Sequence, residues 1–127
     1  MRTITKYIDS IRENIEFRVG QNAQDNFDLI DDSSPDDLWF HIRGHASCHV
    51  VAVIQRMEEG QRMEEGITVY DKKQLRHIAT HGAVICKQHS KYKSESNVQV
   101  MYTQIQHVVK TATVGMVTVS TYRTIEI

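Results

Sequence analysis

Apolar and polar residues alternate in two short runs of β type at the start of the chain. These runs are residues 4–8 and 15–19, and the polar stretch between them has the length of a hairpin connection. Two further runs, residues 38–42 and 50–54, are aromatic or β-branched and are joined by a loop that contains Gly44. The pattern therefore predicts an N-terminal β-hairpin followed by two neighbouring central strands.

Helical spacing of apolar residues occurs in two segments. Residues 21–30 have apolar positions three apart and precede a polar stretch with the only proline, Pro35, so we expect a short helix that ends before it. A longer segment, residues 71–89, begins at Asp71, a residue type that caps helices, with Gln74 three positions on. Its apolar residues recur at helical spacing: Leu75, Ile78, Ala79, Gly82, Ile85 and Cys86. This segment is the predicted main helix.

The last third of the chain returns to β-type patterns. Val98, Val100 and Tyr102 alternate with polar positions. Three further strand-like runs follow around a turn at Gly115: residues 107–110, 116–120 and 124–127. Strands, a main helix and more strands predict an α+β fold with a mixed, mostly antiparallel sheet. Because 127 residues is the size of one ordinary domain, we expect residues 1–127 to form a single domain.

The hexapeptide Gln-Arg-Met-Glu-Glu-Gly occurs twice in succession, at residues 55–60 and 61–66. We interpret residues 55–66 as a duplicated insertion in a surface loop, where insertions cost little, and assign no function to it.

The net charge of −1 hides an uneven distribution of charge along the chain. Residues 1–70 carry seven Lys and Arg against thirteen Asp and Glu, a balance of −6. Residues 71–127 carry eight against three, a balance of +5. A basic face in the second half can hold a phosphate backbone, since local potential matters more than the total. The alternative is that these cations form only a solvated face of the main helix.

The sequence lacks the signals of several classes of protein. No apolar run is long enough to cross a bilayer, and the N-terminus lacks the features of a secretory signal, so we expect a cytoplasmic protein without membrane contact. Cys48 and Cys86 do not form a CxxC pair, and we expect both to be reduced and structural.

Histidines recur at intervals of four, at His41, His45 and His49 and again at His77 and His81. A zincin motif needs a glutamate directly after the first histidine of a pair, and an isoleucine follows His77. The chain also lacks a GxSxG elbow and a Gly-rich phosphate loop. We therefore expect no metal, no cofactor and no catalysis, and keep a small metal-dependent enzyme centred on His41 and His49 as an alternative.

An ordered set of motifs covers nearly the whole chain. They are Val19-Gly20-Gln21-Asn22 with Asn26, Pro35-x-Asp37-x-Trp39-Phe40-His41, Ser47-x-His49-Val50, Val100-x-Tyr102-Thr103, Val108-x-Lys110, Gly115 and Thr124-Ile125. In this order they resemble NFACT-R, the RNA-binding domain of the NFACT proteins of ribosome quality control, which also occurs as a stand-alone protein. The chain departs from the pattern at Ser47-Cys48, where many bacterial members have Gly-Ser, and at Thr111, where proline is frequent.

The resemblance implies a nucleic-acid-binding module in a translation or ribosome-quality-control context, without catalysis. Its partner would be structured RNA, tRNA or ribosomal RNA, with association with the ribosome; DNA stays open, since no residue points to a 2′-OH contact. The alternative from another class is a protein-interaction or scaffold domain that has kept the fold without RNA binding. The pattern specifies no oligomeric state.

Asp37, Trp39 and His41 alternate along a predicted strand and so share one of its faces. In a functional interpretation Asp37 orients His41, which contacts a phosphate or a base edge, and His49 adds a second donor. In a structural interpretation the same residues form a buried polar network that fixes the sheet. Trp39 is accordingly either a core residue or a platform on which a base stacks.

The candidate nucleic-acid contacts combine the motif residues with basic side chains that can reach phosphates. They are Arg18, Asn22, Asn26, Asp37, Trp39, His41, Arg43, His49, Lys87, Lys91 and Lys110.

Overall fold

The computed structural model describes residues 1–54 and 70–127. In chain order the elements are β1 (Arg2–Ile8), β2 (Glu13–Val19), α1 (Ala23–Asp31), β3 (Leu38–Ile42), β4 (Val50–Ala52), α2 (Lys72–Gln88), β5 (Gln99–Gln104), a 3-10 helix (Ile105–His107), β6 (Val108–Lys110), β7 (Val117–Val119) and β8 (Arg123–Glu126). The predicted α+β class is confirmed. The duplicated hexapeptide, residues 55–66, lies outside the described residues.

Within the described residues, six strands form one sheet in the order β1-β2-β4-β3-β5-β8, and each neighbouring pair is antiparallel. The predicted N-terminal hairpin is confirmed, with Arg2 opposite Val19. The two predicted central strands, β3 and β4, are adjacent in the middle of this sheet. The second of them is shorter than expected, since regular pairing ends at Ala52.

Helix α2 begins and ends within one residue of the predicted main helix. Asp71 and Gln74 form a reciprocal capping box, in which each side chain accepts a hydrogen bond from the backbone N–H of the other, at 2.7 and 2.9 Å. The buried side of the helix packs against one face of the sheet. A Cβ at Gly82 would lie 2.2 Å from Cζ of Phe40, so only glycine permits this close approach.

The opposite face of the sheet carries Trp39 and Val51. Leu29 of α1 and Val108 of β6 join them in a second hydrophobic cluster, so α1 and the β6–β7 hairpin cover part of this face. The predicted strands at 107–110 and 116–120 exist, but they form a two-stranded sheet of their own. The main sheet therefore lies between α2 on one side and α1 with the β6–β7 hairpin on the other.

The turn of the β6–β7 hairpin packs against the first residue of α1. Gly115 has φ +85°, in the left-handed region, and a Cβ there would lie 2.8 Å from Cβ of Ala23. This contact fixes the hairpin beside the helix. Among the described residues, neither helix is long and apolar enough to span a bilayer.

Candidate nucleic-acid interface

A pocket of about 1040 Å³ opens on the sheet face opposite α2. It lies between the start of α1, the loop that joins β3 to β4, and the β6–β7 hairpin. The described residues that line it are Val19, Gly20, Gln21, Asn22, Ala23, Asn26, Trp39, His41, Gly44, His45, Ala46, Ser47, Cys48, His49, His89, Met101, Val114, Gly115, Met116, Val117, Val119 and Tyr122. This set contains no Lys, Arg, Asp or Glu, so the described lining has no side chain with a permanent charge.

Three aromatic rings pack together at the base of this pocket. Trp39 and His41 project from the same face of β3, and their rings are parallel within 4° with centroids 5.7 Å apart. The ring of His49 stands perpendicular to both, with its centroid 5.1 Å from each. Nε1–H of Trp39 donates a hydrogen bond to Nδ1 of His49 over 3.2 Å. The imidazole of His49 therefore carries its proton at Nε2 when it is neutral.

Burial keeps these imidazoles neutral. Burial, together with a smaller effect of the neighbouring His41, lowers the pKa of His49 from 6.5 to about 3. Burial also lowers the pKa of His41, and a hydrogen bond with the backbone of Ile42 offsets part of that effect. At neutral pH the base of the pocket is aromatic and uncharged.

The two asparagines of the family motif hold the walls of the pocket. Oδ1 of Asn22 accepts a hydrogen bond from N–H of Asp25 over 2.8 Å and caps α1. Oδ1 of Asn26 accepts from the backbone N–H of His49 over 3.1 Å. A Cβ at Gly20 would lie 2.3 Å from that same oxygen, which explains why glycine precedes the helix. The start of α1 is thereby tied to the residue that precedes β4.

Asp37 lies one residue before β3 and is buried. Its carboxylate accepts hydrogen bonds from the backbone N–H of Ser34 over 2.9 Å and of Ile54 over 2.8 Å. It therefore joins the turn before β3 to the chain just beyond β4. Asp37 is outside the described pocket lining, and these contacts favour a structural role for it.

Two of the predicted phosphate contacts form ion pairs within the chain. Nε of Arg18 lies 2.8 Å from Oε2 of Glu16. Nζ of Lys110, on β6, lies 2.5 Å from Oδ1 of Asp31, at the end of α1. Neither cation lines the pocket, and a phosphate would have to compete with the carboxylate at each site.

Two other predicted cations adjoin the loop side of the pocket. Arg43 is exposed and directly precedes Gly44, a lining residue. Nζ of Lys91 lies 6.0 Å from the ring centroid of Tyr92, and that ring lies 4.7 Å from the ring of His45, another lining residue. Lys87 instead lies on α2, where its ammonium donates to the backbone oxygen of the last residue over 3.0 Å.

Sequence reasoning missed the apolar residues on the hairpin side of the pocket. Val114, Met116 and Tyr122 all line it and are 48%, 60% and 42% exposed. Apolar residues in β-type runs have no local feature that separates a core position from an exposed wall. The only signal nearby was Gly115, which belongs to the family motif.

The two cysteines lie where the pocket wall meets α2. Sγ of Cys86 donates to the backbone oxygen of Cys48 over 3.8 Å, and both thiols are free. A hydrogen bond between the thiols lowers the pKa of Cys48 against the effect of its partial burial. The same bond and full burial raise the pKa of Cys86. Cys48 is thus the more acidic thiol, and it lines the pocket.

Metal ligands do not converge in the part of the chain that the structure describes. Residues 1–54 and 70–127 contain no group of three His, Cys, Asp or Glu side chains arranged to hold an ion. His41 and His49 adjoin each other, but this pair gives no support to a metal-dependent reaction.

Comparison with known proteins places the fold and the family. The family model described as "NFACT protein RNA binding domain" matches residues 7–121. The solved C-terminal structure of the fibronectin/fibrinogen-binding protein from Streptococcus suis is similar, with a TM-score of 0.70 and 20% identity. The match covers 100% of this chain and 45% of that one, and at this identity it shows the fold alone. A search of the curated proteins finds no match.

Proposed function

This chain belongs to the NFACT-R family of RNA-binding domains, and we propose that it binds structured RNA, tRNA or ribosomal RNA, on the sheet face with the pocket. The observation that carries the proposal is the convergence of family-motif residues at one place. Asn22, Asn26, Trp39, His41 and His49 come from three separate motifs and all line the pocket. Their hydrogen bonds and ring contacts join β2, α1, β3 and β4 around it.

The distribution of charge around the pocket suggests that residues outside the pocket lining contact the phosphates. Affinity for a nucleic acid comes largely from cations that contact phosphates, and the described lining contributes none. Arg43 and Lys91 adjoin the opening and are exposed, so we assign the phosphate contacts to them first. Arg18 and Lys110 can add to these only by exchanging their carboxylate partners.

A second basic surface lies on the outward side of α2 and is the competing location. Lys72, Lys73 and Arg76 are exposed there, on the other side of the sheet from the pocket. A solvated helix face explains these residues without any ligand. We favour the pocket face because the family motif supplies its residues, whereas the α2 surface has charge alone.

The role that we propose is binding without catalysis, in a translation or ribosome-quality-control context. The family is described by what it binds, and the pocket has neither a nucleophile paired with a base nor a metal site among the described residues. DNA is the other polyanion to compare, because phosphate contacts alone do not separate it from RNA.

Fluorescence polarisation with labelled tRNA, a matched single strand and a DNA duplex tests this proposal. Each ligand is titrated at two salt concentrations, about 50 and about 200 mM, where phosphate contacts lose affinity measurably. We expect micromolar or tighter binding of tRNA that weakens with salt and exceeds the binding of DNA. A protein that binds none of the three at low salt would refute the proposal.

A further inference from the structure

We propose that the pocket receives one unpaired nucleobase of the bound RNA, while the adjoining phosphates stay outside, near Arg43 and Lys91. The inference rests on the proposed RNA binding and specifies which part of the RNA enters the protein. Four features of the pocket carry it: charge, a flat ring at its base, an apolar wall, and polar groups near its opening.

Charge favours a neutral occupant. A phosphate that left water would need cationic or backbone donors to repay its desolvation. The described lining contains neither Lys nor Arg, and burial keeps His49 neutral. The pocket is therefore unsuited to an anion and suited to a neutral ring.

The base of the pocket offers a platform for stacking. His41 is half-buried and lies parallel to Trp39, which is only 1% exposed. Trp39 thus supports the imidazole from one side, and the accessible ring belongs to His41. Flat heterocycles stack on such rings with little dependence on which base is present.

The hairpin side supplies a second apolar surface. Val114, Met116 and Tyr122 expose a large part of their side chains and line the same pocket. Clustered exposed apolar residues mark a binding site more often than isolated ones do. A thioether and a phenol ring contact the faces of aromatic ligands well. A base between His41 and this wall would therefore contact an aromatic ring on one face and apolar side chains on the other.

Polar groups at the opening suit the edge of a base. Nδ1 of His89 is hydrogen-bonded to the backbone oxygen of Ile85 over 3.0 Å, which leaves Nε2 as the acceptor of the neutral ring. His45 and Gln21 are exposed and line the same pocket. Donors and acceptors of this kind read base edges in RNA.

A concave pocket excludes bases that are paired and stacked in a helix. Loops and bulges present bases that are already unstacked, so inserting one costs little. We therefore expect the protein to prefer a hairpin with a bulged nucleotide over the same hairpin fully paired.

An abasic substitution isolates the contribution of the base. The protein is titrated with a bulged RNA hairpin, with the same hairpin carrying an abasic site at the bulge, and with the fully paired form. The abasic RNA keeps the phosphates and the kink and loses only the ring. We expect its affinity to be lower by on the order of tenfold, the usual effect of one stacked base.

Two substitutions on the hairpin give a matched comparison. Met116→Ser changes a lining residue that is 60% exposed, and Val109→Ser changes a residue of β6 that is 59% exposed and outside the described lining. Met116→Ser should weaken binding of the bulged RNA several-fold and leave binding of the abasic RNA unchanged. Val109→Ser should alter neither. Both variants should fold normally, because each replaced side chain is more than half exposed.

The outcomes separate this inference from the proposed function. Equal binding of bulged and abasic RNA would overturn base insertion and leave RNA binding in place. Binding of free mononucleotides as tightly as bulged RNA would assign the pocket to a small ligand and overturn insertion from RNA. Binding of no RNA at all would refute the proposed function, and this inference with it.

Discussion

Nε1–H of Trp39 donates to Nδ1 of His49 on the sheet face opposite α2, where both side chains are buried. This bond joins β3 to the residue that precedes β4. The backbone of His49 extends the connection in two directions. Its N–H donates to Asn26 of α1, and its carbonyl accepts from N–H of Gly20 over 3.0 Å. One buried histidine thereby joins β2, α1, β3 and β4 at the pocket.

The indole bond can be measured by Trp39→Phe, which keeps an aromatic ring and removes the N–H donor. We expect the free energy of unfolding to fall by about 1–3 kcal/mol, because a buried acceptor loses its donor and the smaller ring leaves a void. Urea unfolding followed by circular dichroism measures the loss. Combining Trp39→Phe with His49→Leu removes both partners, so the two costs should add up to more than the double variant loses. Simple additivity would show that the bond does not couple the two residues.

Stability should depend on pH through His49. Its pKa in the folded protein, about 3, is below its ordinary value of 6.5, so the unfolded chain binds an extra proton between these values. The contribution of His49 to the free energy of unfolding is therefore present at neutral pH and is lost as the pH falls through this window. We expect a loss of about 2 kcal/mol between pH 7 and pH 5. Urea unfolding at both pH values measures the change.

His49→Asn is the control for this pH dependence, because its amide oxygen can accept from Trp39 but does not titrate in this range. The variant should lose less stability on acidification than the parent. Some dependence should persist, since burial also lowers the pKa of His41 and His81. An identical loss in parent and variant would show that His49 is not the residue responsible.

Gly82→Ala tests the contact between α2 and the sheet. In a free helix this change is stabilising by about 1 kcal/mol. Here the added Cβ would lie 2.2 Å from Phe40, a fully buried ring, so we expect a net loss of about 1–3 kcal/mol. Denaturant unfolding of the variant decides the sign, and unchanged or higher stability would mean that the helix approaches the sheet less closely than described.

The two thiols should react at different rates in the folded protein. Cys48 has the lowered pKa and lines the pocket, whereas Cys86 is buried and has a raised pKa, so iodoacetamide should modify Cys48 first. Peptide mass spectrometry over a time course measures this order. Bound RNA should slow the modification of Cys48, and faster labelling of Cys86 would contradict the arrangement of the loop against α2.

Local signals were sufficient for most of the secondary structure. The capping residue Asp71 and the helical spacing after it predicted α2 within one residue. Alternation predicted the β1–β2 hairpin and the strand at β5, and an aromatic and β-branched run predicted β3. The short connections placed β1 beside β2 and β3 beside β4. The other pairings were not predicted, because alternation fixes the faces of a strand and not its neighbours. The separation of β6 and β7 from the main sheet was missed for this reason.

The candidate site was predictable in part. The family motif gave Asn22, Asn26, Trp39, His41 and His49, whose convergence depends on how α1 and the loop before β4 fold together. Charge alone could not separate Lys91, beside the pocket, from Lys87, on α2, because both lie in the same basic stretch of sequence. The exposed apolar wall of the hairpin was missed, since only the tertiary fold distinguishes it from core.

The location of the RNA is the central claim, and paired charge reversals test it most directly. Arg43→Glu with Lys91→Glu alters the pocket face. Lys72→Glu with Lys73→Glu makes the same change in net charge on α2, where acidic residues suit the first turn of a helix. Binding of labelled tRNA is measured for both variants against salt concentration. We predict that the first pair weakens binding at least tenfold and lowers the salt slope by about 2, whereas the second changes it little. Loss of binding in the α2 variant, with the pocket-face variant unaffected, would contradict the account.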